Sequence, residues 1–300
     1  MLAITILGNN SALSIQNRHQ TAQIITSDEH QFLVDCGEST QIQMQRYKIK
    51  RSKISHIFIS HLHGDHYYGL AGLLNTYSLT NRKDPLHLYA TPALKEVIDL
   101  QMKVSDSSFG YEFIFHPITE AAILLDLPGI TVSCFPVSHR IPCWGFVFSE
   151  KEKLRKINVE QATFHHVPID AYKSLKQGED FITTKGDIIK NDWITYEGSA
   201  PKSYAFCADT KYDETIIPHI KHADLIYHES TYLDDQVEKA ELRYHSTSSQ
   251  AATIALKSGA KKLLLGHFSS KYEDLNTFEQ EAKRIFDNAE VSKEGVSYIV

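Results

Sequence analysis

Six consecutive residues, His61-Leu62-His63-Gly64-Asp65-His66, place three imidazoles and a carboxylate directly behind the apolar run 54–60. That run is rich in β-branched residues and reads as a buried strand. Crowded imidazoles repel when protonated and lose hydration when buried, so the cluster requires a cation to gather it. A metal ion fits. Further along, His139, Asp209 and His267 supply the donors a complete site needs. His61, His63 and His139 with a carboxylate make one ligand set, and Asp65, His66 and His267 with a shared carboxylate make a second. Asp209 suits the shared role because its two oxygens can bridge. Nitrogen and oxygen donors without thiolate are those of hydrolytic zinc. Two ions ~3.5–4 Å apart stabilise both the entering and the leaving oxygen of an in-line displacement at phosphorus. A redox iron centre uses similar donors, so the residues alone leave the metal open.

These side chains need a scaffold that brings them to one rim, and the hydropathy pattern supplies alternating strands and helices. Strands are expected at 3–7, 22–26 and 31–35, the last two as a hairpin closed by Asp35-Cys36-Gly37-Glu38. Asp35 can accept the second N–H of a metal-bound imidazole, or simply cap the turn. Residues 69–77 have helical spacing, which puts the histidine cluster in a strand-to-helix loop. A strand at 86–90 leads to a helix at 93–103, with Pro92 at its first position behind a Thr91 cap. Strands follow at 111–115, 130–135, 144–148, 203–208, 224–227 and 262–266, with a helix at 248–258 opened by His245-Ser246-Thr247. His61, Asp209, His228 and His267 then stand at the C-terminal ends of strands, and His139 follows one closely. His228 and His245 share the rim without being needed for the ligand count. His19, His30, His56, His87, His116, His165, His166, His219 and His222 lack that position and are assigned to surface or core.

The chain has 300 residues, 42% of them hydrophobic, with a formal charge of −6. No apolar run reaches the ~20 residues that span a bilayer, and the first residues read as a strand rather than a leader, so a cytoplasmic protein is expected. Cys36, Cys134, Cys143 and Cys207 lack CxxC spacing and read as buried free thiols. The negative balance gives no global attraction to nucleic acid, so a polyanionic substrate would depend on metals and a local basic patch. From about 150 to 193 the texture changes: Lys151, Lys153, Arg155 and Lys156 come together, and Lys173, Lys176, Lys185 and Lys190 follow. This reads as an insertion with a short helical piece and a hairpin around 181–189, or as a solvated surface excursion.

HLHGDH followed by SHR, ADT, HEST, HST and GHFS resembles the metallo-β-lactamase superfamily, and in particular its ribonuclease Z branch of tRNA 3′-processing endonucleases. FLVDCGESTQIQ and SHRIPCWGF extend the resemblance over nearly the whole of residues 1–300. It implies one domain with a four-layer αββα sandwich and a protruding tRNA-binding arm at about 150–193. It implies two zinc ions, with manganese as the other candidate: His61, His63, His139 and Asp209 on the first, Asp65, His66, Asp209 and His267 on the second. Asp65 would accept the proton of the attacking water, His245 would protonate the leaving 3′ oxygen with Glu229 orienting it, and His228 and Asp35 would support the site from behind the ligands. The substrate would be precursor tRNA, cut after the discriminator nucleotide to leave a tRNA 3′-hydroxyl and a trailer 5′-phosphate. The arm would use Lys151, Lys153, Arg155, Lys156 and Lys176 on RNA, across a homodimer. Many bacterial arms are Gly-Pro-rich where this chain has FHHVPIDAY at 164–172, although 175–179 fits. Two rival readings are a phosphodiesterase for smaller phosphate esters on the same fold, and an RNA-binding protein with a vestigial metal site.

Overall fold

The computed structural model describes residues 1–15, 17–28 and 30–300. Two seven-stranded sheets dominate it. The first runs, edge to edge, through Ser297–Ile299, Leu2–Gly8, Ala22–Ser27, His30–Val34, Ile54–Phe58, Leu86–Ala90 and Phe113–Pro117. Its pairs are antiparallel as far as His30–Val34 and parallel beyond. The second orders Ala289–Val291, Leu263–Gly266, Leu225–Glu229, Ser203–Cys207, Trp144–Glu150, Ile130–Pro136 and Ala122–Leu127. Its first four strands are parallel.

Each sheet is apolar on both faces, which explains why its strands read as continuous hydrophobic runs. In the first sheet Leu33, Ile57 and Leu88 pack against Leu70, Leu73, Leu74, Leu94 and Ile98 of two helices, Leu70–Leu79 and Ala93–Val104. The alternate residues turn inward, where Phe32, Phe58, Phe146 and Phe148 interlock at ring separations of 5.5–5.6 Å between the sheets. Helices Ser248–Ser258 and Asn276–Lys283 cover the outer face of the second sheet through Ala251, Ile254, Ala255, Phe278 and Ala282. The result is the expected αββα layering. All four cysteines are buried free thiols, and no helix among the described residues is long and apolar enough to cross a membrane.

Several elements differ from expectation. The strand expected at 111–115 lies at Phe113–Pro117, because Tyr111 turns its ring into the helix layer and donates its hydroxyl to the Leu74 carbonyl, 3.1 Å away. Pro117 is tolerated there because the strand is an edge of the sheet. Residue 35 closes no hairpin onward: Asp35 adopts φ 56°, and the chain enters a helix, Thr40–Arg46, before returning as the parallel strand Ile54–Phe58. Thr91 caps through its backbone, its carbonyl accepting from Leu94 N–H at 3.1 Å. His228 lies inside the strand Leu225–Glu229 rather than after it.

By its contacts the chain divides into two compact units. One comprises Met1–Asp126, Ile130–Ser149 and Lys202–Val300; the other comprises Leu127–Gly129 and Glu150–Pro201. The smaller unit has a core of its own, Ala162, Val167, Leu175, Ile189 and Ile194. Around it lie helices Val159–Phe164 and Tyr172–Lys176, the two-stranded pair Lys156–Ile157 with Thr195–Tyr196, and the hairpin Phe181–Ile182 with Ile188–Ile189. Asn191 ties this unit together, donating its side-chain amide to the carbonyls of Leu175 and Glu179 at 2.8 and 2.7 Å. Arg155 is held by Thr195 at 2.7 Å and by Asp192 at 2.5 Å, while Lys153 meets Glu150 at 2.9 Å. Lys156 and Lys176 are exposed.

Candidate metal centre

Parallel strands set the level of the site. The pairings Cys207 with His228 and Glu229 with Gly266 bring Asp209, the segment 229–231 and His267 to one rim of the second sheet. On the first sheet the loop after Ile54–Phe58 delivers 60–66. This loop is locked from below: Cys36 N–H donates to the His66 carbonyl at 2.7 Å and Gly69 N–H to the Cys36 carbonyl at 2.9 Å. Only glycine fits at 69, since a Cβ there would fall 2.1 Å from the Gly37 oxygen.

Three groups of ligand-type atoms result. His61, His63, His139 and Asp209 form one, Asp65, His66 and His267 a second, and Asp209, His245 and His267 a third that shares His267 with the second. Asp209 lies between the first two. Its Oδ1 is 3.3 Å from His66 Nε2 and 3.2 Å from His267 Nε2, while its Oδ2 is 3.6 Å from His61 Nε2 and 4.0 Å from His139 Nε2. Oδ1 is buried with no hydrogen-bond donor. Asp65 Oδ2 faces His267 Nε2 at 3.4 Å and His66 Nε2 at 3.6 Å, and accepts the Ala12 N–H at 2.7 Å.

The outer ring nitrogens fix the tautomers. His66 Nδ1–H donates to Asp35 Oδ2 at 2.7 Å. The Ser60 hydroxyl donates to the same oxygen at 2.8 Å and so accepts from His61 Nδ1–H at 3.0 Å. On the other side Thr231 Oγ1 donates to Glu229 Oε2 and accepts from His267 Nδ1–H, both at 2.9 Å. His139 Nδ1–H donates to the Tyr244 carbonyl at 3.0 Å. With these protons on the outside, Nε2 of His61, His66, His139 and His267 presents its lone pair inward: His66 Nε2 lies 3.2 Å from His267 Nε2, and His61 Nε2 and His139 Nε2 each lie 3.0 Å from His63 Nδ1. Converging lone pairs beside an unpartnered carboxylate oxygen are an arrangement a cation satisfies and a proton network does not. These residues fit a metal.

Buried Asp35 therefore supports two histidines, His66 directly and His61 through Ser60. Glu229 does the same opposite, holding His267 through Thr231 and His245 directly, with His245 Nδ1 at 2.9 Å. Glu229 also accepts backbone N–H from Thr210, Thr231 and Ser246 at 3.2, 2.9 and 3.0 Å. Burial alone would raise its carboxyl, but the charge of His245 and its hydrogen bond hold it low. Burial would lower His245, yet Glu229 beside it, with Asp209 and Asp65, lifts it to about 9. At His66 burial is outweighed by Asp209, Asp65 and Asp35, which raise its proton affinity well above that of an ordinary imidazole. A cation between the same carboxylates answers the same field. At Asp65 and Asp209 burial opposes ionisation, but the surrounding histidines hold both carboxyls far below the usual range.

The structure thus brings together Asp35, His61, His63, Asp65, His66, His139, Asp209, Glu229, His245 and His267. His228 stays apart from the ligand atoms and hydrogen-bonds the carbonyl of Glu229 at 2.6 Å. Sequence reasoning missed Ser60 and Thr231, which relay the carboxylates, and Arg140 and Arg243, which line the cleft. That cleft, about 500 Å³, opens between Asp65, His245, Tyr68 and the two arginines. Thr231 sits in the HEST run, next to the Glu229 already singled out, so adjacency could have flagged it. The Ala12 N–H and the Tyr244 carbonyl carry no side-chain signal at all.

The chain is similar to known proteins over nearly its whole length. The chain is 41% identical over 300 residues to ribonuclease Z of Cytophaga hutchinsonii, covering 98% of this chain and 95% of the relative. It is 36% identical over 293 residues to ribonuclease Z of Bacteroides fragilis, covering 97% and 96%. Human tRNase Z, short form, superposes with a TM-score of 0.72 at 25% identity, over 99% of this chain and 98% of that one. The metallo-β-lactamase fold protein YhfI from Bacillus subtilis, 19% identical, shares the fold with a TM-score of 0.70 over 99% and 98%. A family model described as Anti-Pycsar protein Apyc1 matches residues 2–154. In its first half the chain belongs to the family of that model, and over nearly its whole length it belongs to the ribonuclease Z family.

Proposed function

We propose that this chain is a metal-dependent endoribonuclease that removes 3′ trailers from precursor tRNA, cutting after the discriminator nucleotide. The observation that carries the chemistry is the division of Asp209, one oxygen toward His66 and His267 and the other toward His61 and His139. Two ligand sets sharing one carboxylate support two metal ions per chain, and donors without thiolate favour zinc, with manganese the other candidate. Such ions, when bound, supply Lewis-acid stabilisation of the charge that builds on the phosphoryl oxygens.

The protein's own groups do the rest. Asp65, ionised and steadied by the Ala12 N–H, accepts a proton from the attacking water as its oxygen bonds to phosphorus. The bond from phosphorus to the 3′ oxygen breaks, and His245 donates a proton to that oxygen from the ring nitrogen left facing the cleft, its Nδ1 being held by Glu229. The products are a tRNA 3′-hydroxyl and a trailer 5′-phosphate. Arg140, whose guanidinium lies 3.4 Å from His63 Nε2, and Arg243 are placed in the cleft to meet phosphate. The smaller unit is the proposed RNA-binding arm, and its exposed Lys156 and Lys176 are the side chains best suited to backbone phosphates. Lys151, Lys153 and Arg155 add positive charge there, Lys153 and Arg155 while holding the unit's own structure. Homodimerisation and a cytoplasmic location complete the reading.

Purified protein is to be assayed on a precursor tRNA and on a small chromogenic phosphodiester. Cleavage of both is expected, and turnover of the small ester alone would give the phosphodiesterase reading instead. Asp65→Ala is expected to abolish turnover while tRNA binding persists. Undiminished turnover in that variant would refute the assigned chemistry.

A further inference from the structure

The larger unit carries a second cavity, about 690 Å³, at the opposite end of the strands from the metal centre. It lies where helix Thr40–Arg46 gives way to 48–52 and helix Leu70–Leu79 to 80–84. These segments lead into the N-terminal ends of Ile54–Phe58 and Leu86–Ala90, whereas His61 follows the other end of the first of these strands. Five residues of strand put roughly 17 Å between the two levels.

Lys48, Lys50, Arg51, Arg82 and Lys83 line this cavity, with Asp84 the single acidic side chain among its walls. In a chain of net charge −6 this is a concentrated positive site. Several other surface lysines of the same unit are matched, Lys95 with Asp99, Lys257 with Glu214, Lys261 with Asp224 and Lys283 with Glu279. Among the described residues Lys48, Lys50, Arg51 and Lys83 form no ion pair. Helix C-termini attract cations, but that effect fades within the last turn. Lys48, Lys50, Arg51 and Lys83 all lie beyond the helix ends.

Arg82 is the second observation. It is only 8% exposed, and its guanidinium lies 4.8 Å from the Tyr77 ring centroid. Nε donates to the Asp84 carbonyl at 2.8 Å and Nη2 to the Pro85 carbonyl at 2.9 Å, but Nη1 is buried without an acceptor. No carboxylate among the described residues pairs with it. The guanidinium, laid over the Tyr77 and Tyr111 rings, thus brings to the cavity wall a positive charge that no carboxylate neutralises. Exposed ammonium groups gathered in a cavity over that buried charge are the chemistry that attracts phosphate.

We propose that this cavity is a binding site for clustered phosphate groups, separate from the catalytic cleft. The phosphates belong to a small oligophosphate or to an RNA backbone, and in the second case the inference rests on the endoribonuclease reading above.

The test uses the full-length, metal-loaded protein and the triple variant Lys48→Gln, Lys50→Gln, Lys83→Gln, which alters exposed side chains only. Inorganic pyrophosphate is titrated by calorimetry and a labelled 16-nucleotide RNA by fluorescence anisotropy over a range of salt. Binding at the metal centre is common to both proteins, so the difference isolates the cavity. At least a tenfold loss of pyrophosphate affinity, with small-phosphodiester turnover within twofold, establishes a site that accepts small oligophosphates. Equal pyrophosphate binding with a tenfold loss on RNA, and a log–log salt slope shallower by about 2 for three contacts, establishes RNA backbone as the source. Unchanged affinity for both probes in the triple variant overturns the proposal. A chain that leaves precursor tRNA intact yet loses pyrophosphate binding in the variant would keep this site and fail the endoribonuclease reading; normal tRNA cleavage with unchanged binding would do the reverse.

Discussion

Replacing Thr231 by valine removes a hydroxyl and changes little else in shape. That hydroxyl donates to Glu229 Oε2 and accepts from His267 Nδ1–H, each at 2.9 Å, in a site where Thr231, Glu229 and His267 are 2%, 1% and 2% exposed. Glu229 keeps the Thr231 N–H on the same oxygen, so the carboxylate remains partly satisfied. His267 does not: its outer N–H loses its acceptor, and its tautomer and ring angle are freed. A hydrogen bond in a chain ending on a charged carboxylate contributes about 1.5–3 kcal/mol. Loss of the group behind a metal-bound histidine weakens metal binding about 10- to 100-fold, which is about 1.4–2.8 kcal/mol. The two magnitudes agree. Zinc competition against a chromophoric chelator should therefore show one of two binding steps weakened by that factor, the other nearly unchanged, with Thr231→Ser restoring the wild-type curve. If folded Thr231→Val bound both equivalents as tightly as the parent, the relay from Glu229 to His267 would have no part in the site.

Gly69→Ala forces a Cβ to within 2.1 Å of the Gly37 oxygen; it should lower Tm and weaken zinc binding together, because the 35–37 loop that carries Asp35 must shift. Burial, with His87, His30 and His116 nearby, depresses His56 to about 3. Its folded pKa lies below the unfolded value near 6.5, so the unfolded chain binds more protons and stability falls as pH drops below about 6.5. His56→Phe should show a shallower fall of Tm between pH 6.5 and 5, and an unchanged slope would contradict that assignment. Lys156→Ala with Lys176→Ala should weaken precursor-tRNA binding and reduce its salt slope by about 1.4–1.8 for two phosphate contacts, leaving small-ester hydrolysis intact. Arg155→Ala should instead loosen the smaller unit, since it holds Asp192 and Thr195, and protease sensitivity within 150–201 would report it.

The proposed metal donors are legible in the sequence because the chemistry is compressed: HLHGDH crowds four donors behind a strand, His267 directly follows another, and Asp209 stands two residues past a third. The helix Ser248–Ser258 is legible for a local reason, since Thr247 and Gln250 form a capping box. Helix Thr40–Arg46 and the strands Ala289–Val291 and Ser297–Ile299 escape notice because each is short. Ala122–Leu127 escapes for another reason: it is an edge strand with both faces partly solvated, so it has no clean alternation. His228 illustrates a different limit. Its position was read from the end of an apolar run, but the strand continues through His228 and Glu229 because the second sheet buries them from both sides. The relays through Ser60 and Thr231 depend on which rotamers meet across the rim, and the cavity around Arg82 depends on two helix ends meeting. Neither is a property of local sequence.

The position of cleavage on one precursor tRNA, read at nucleotide resolution with purified metal-loaded protein, bears most directly on the proposed function. A single cut after the discriminator nucleotide, leaving a 3′-hydroxyl on the tRNA and a 5′-phosphate on the trailer, is the predicted result. Scattered cuts along the trailer, or an intact precursor in the presence of turnover on a small phosphodiester, would contradict it.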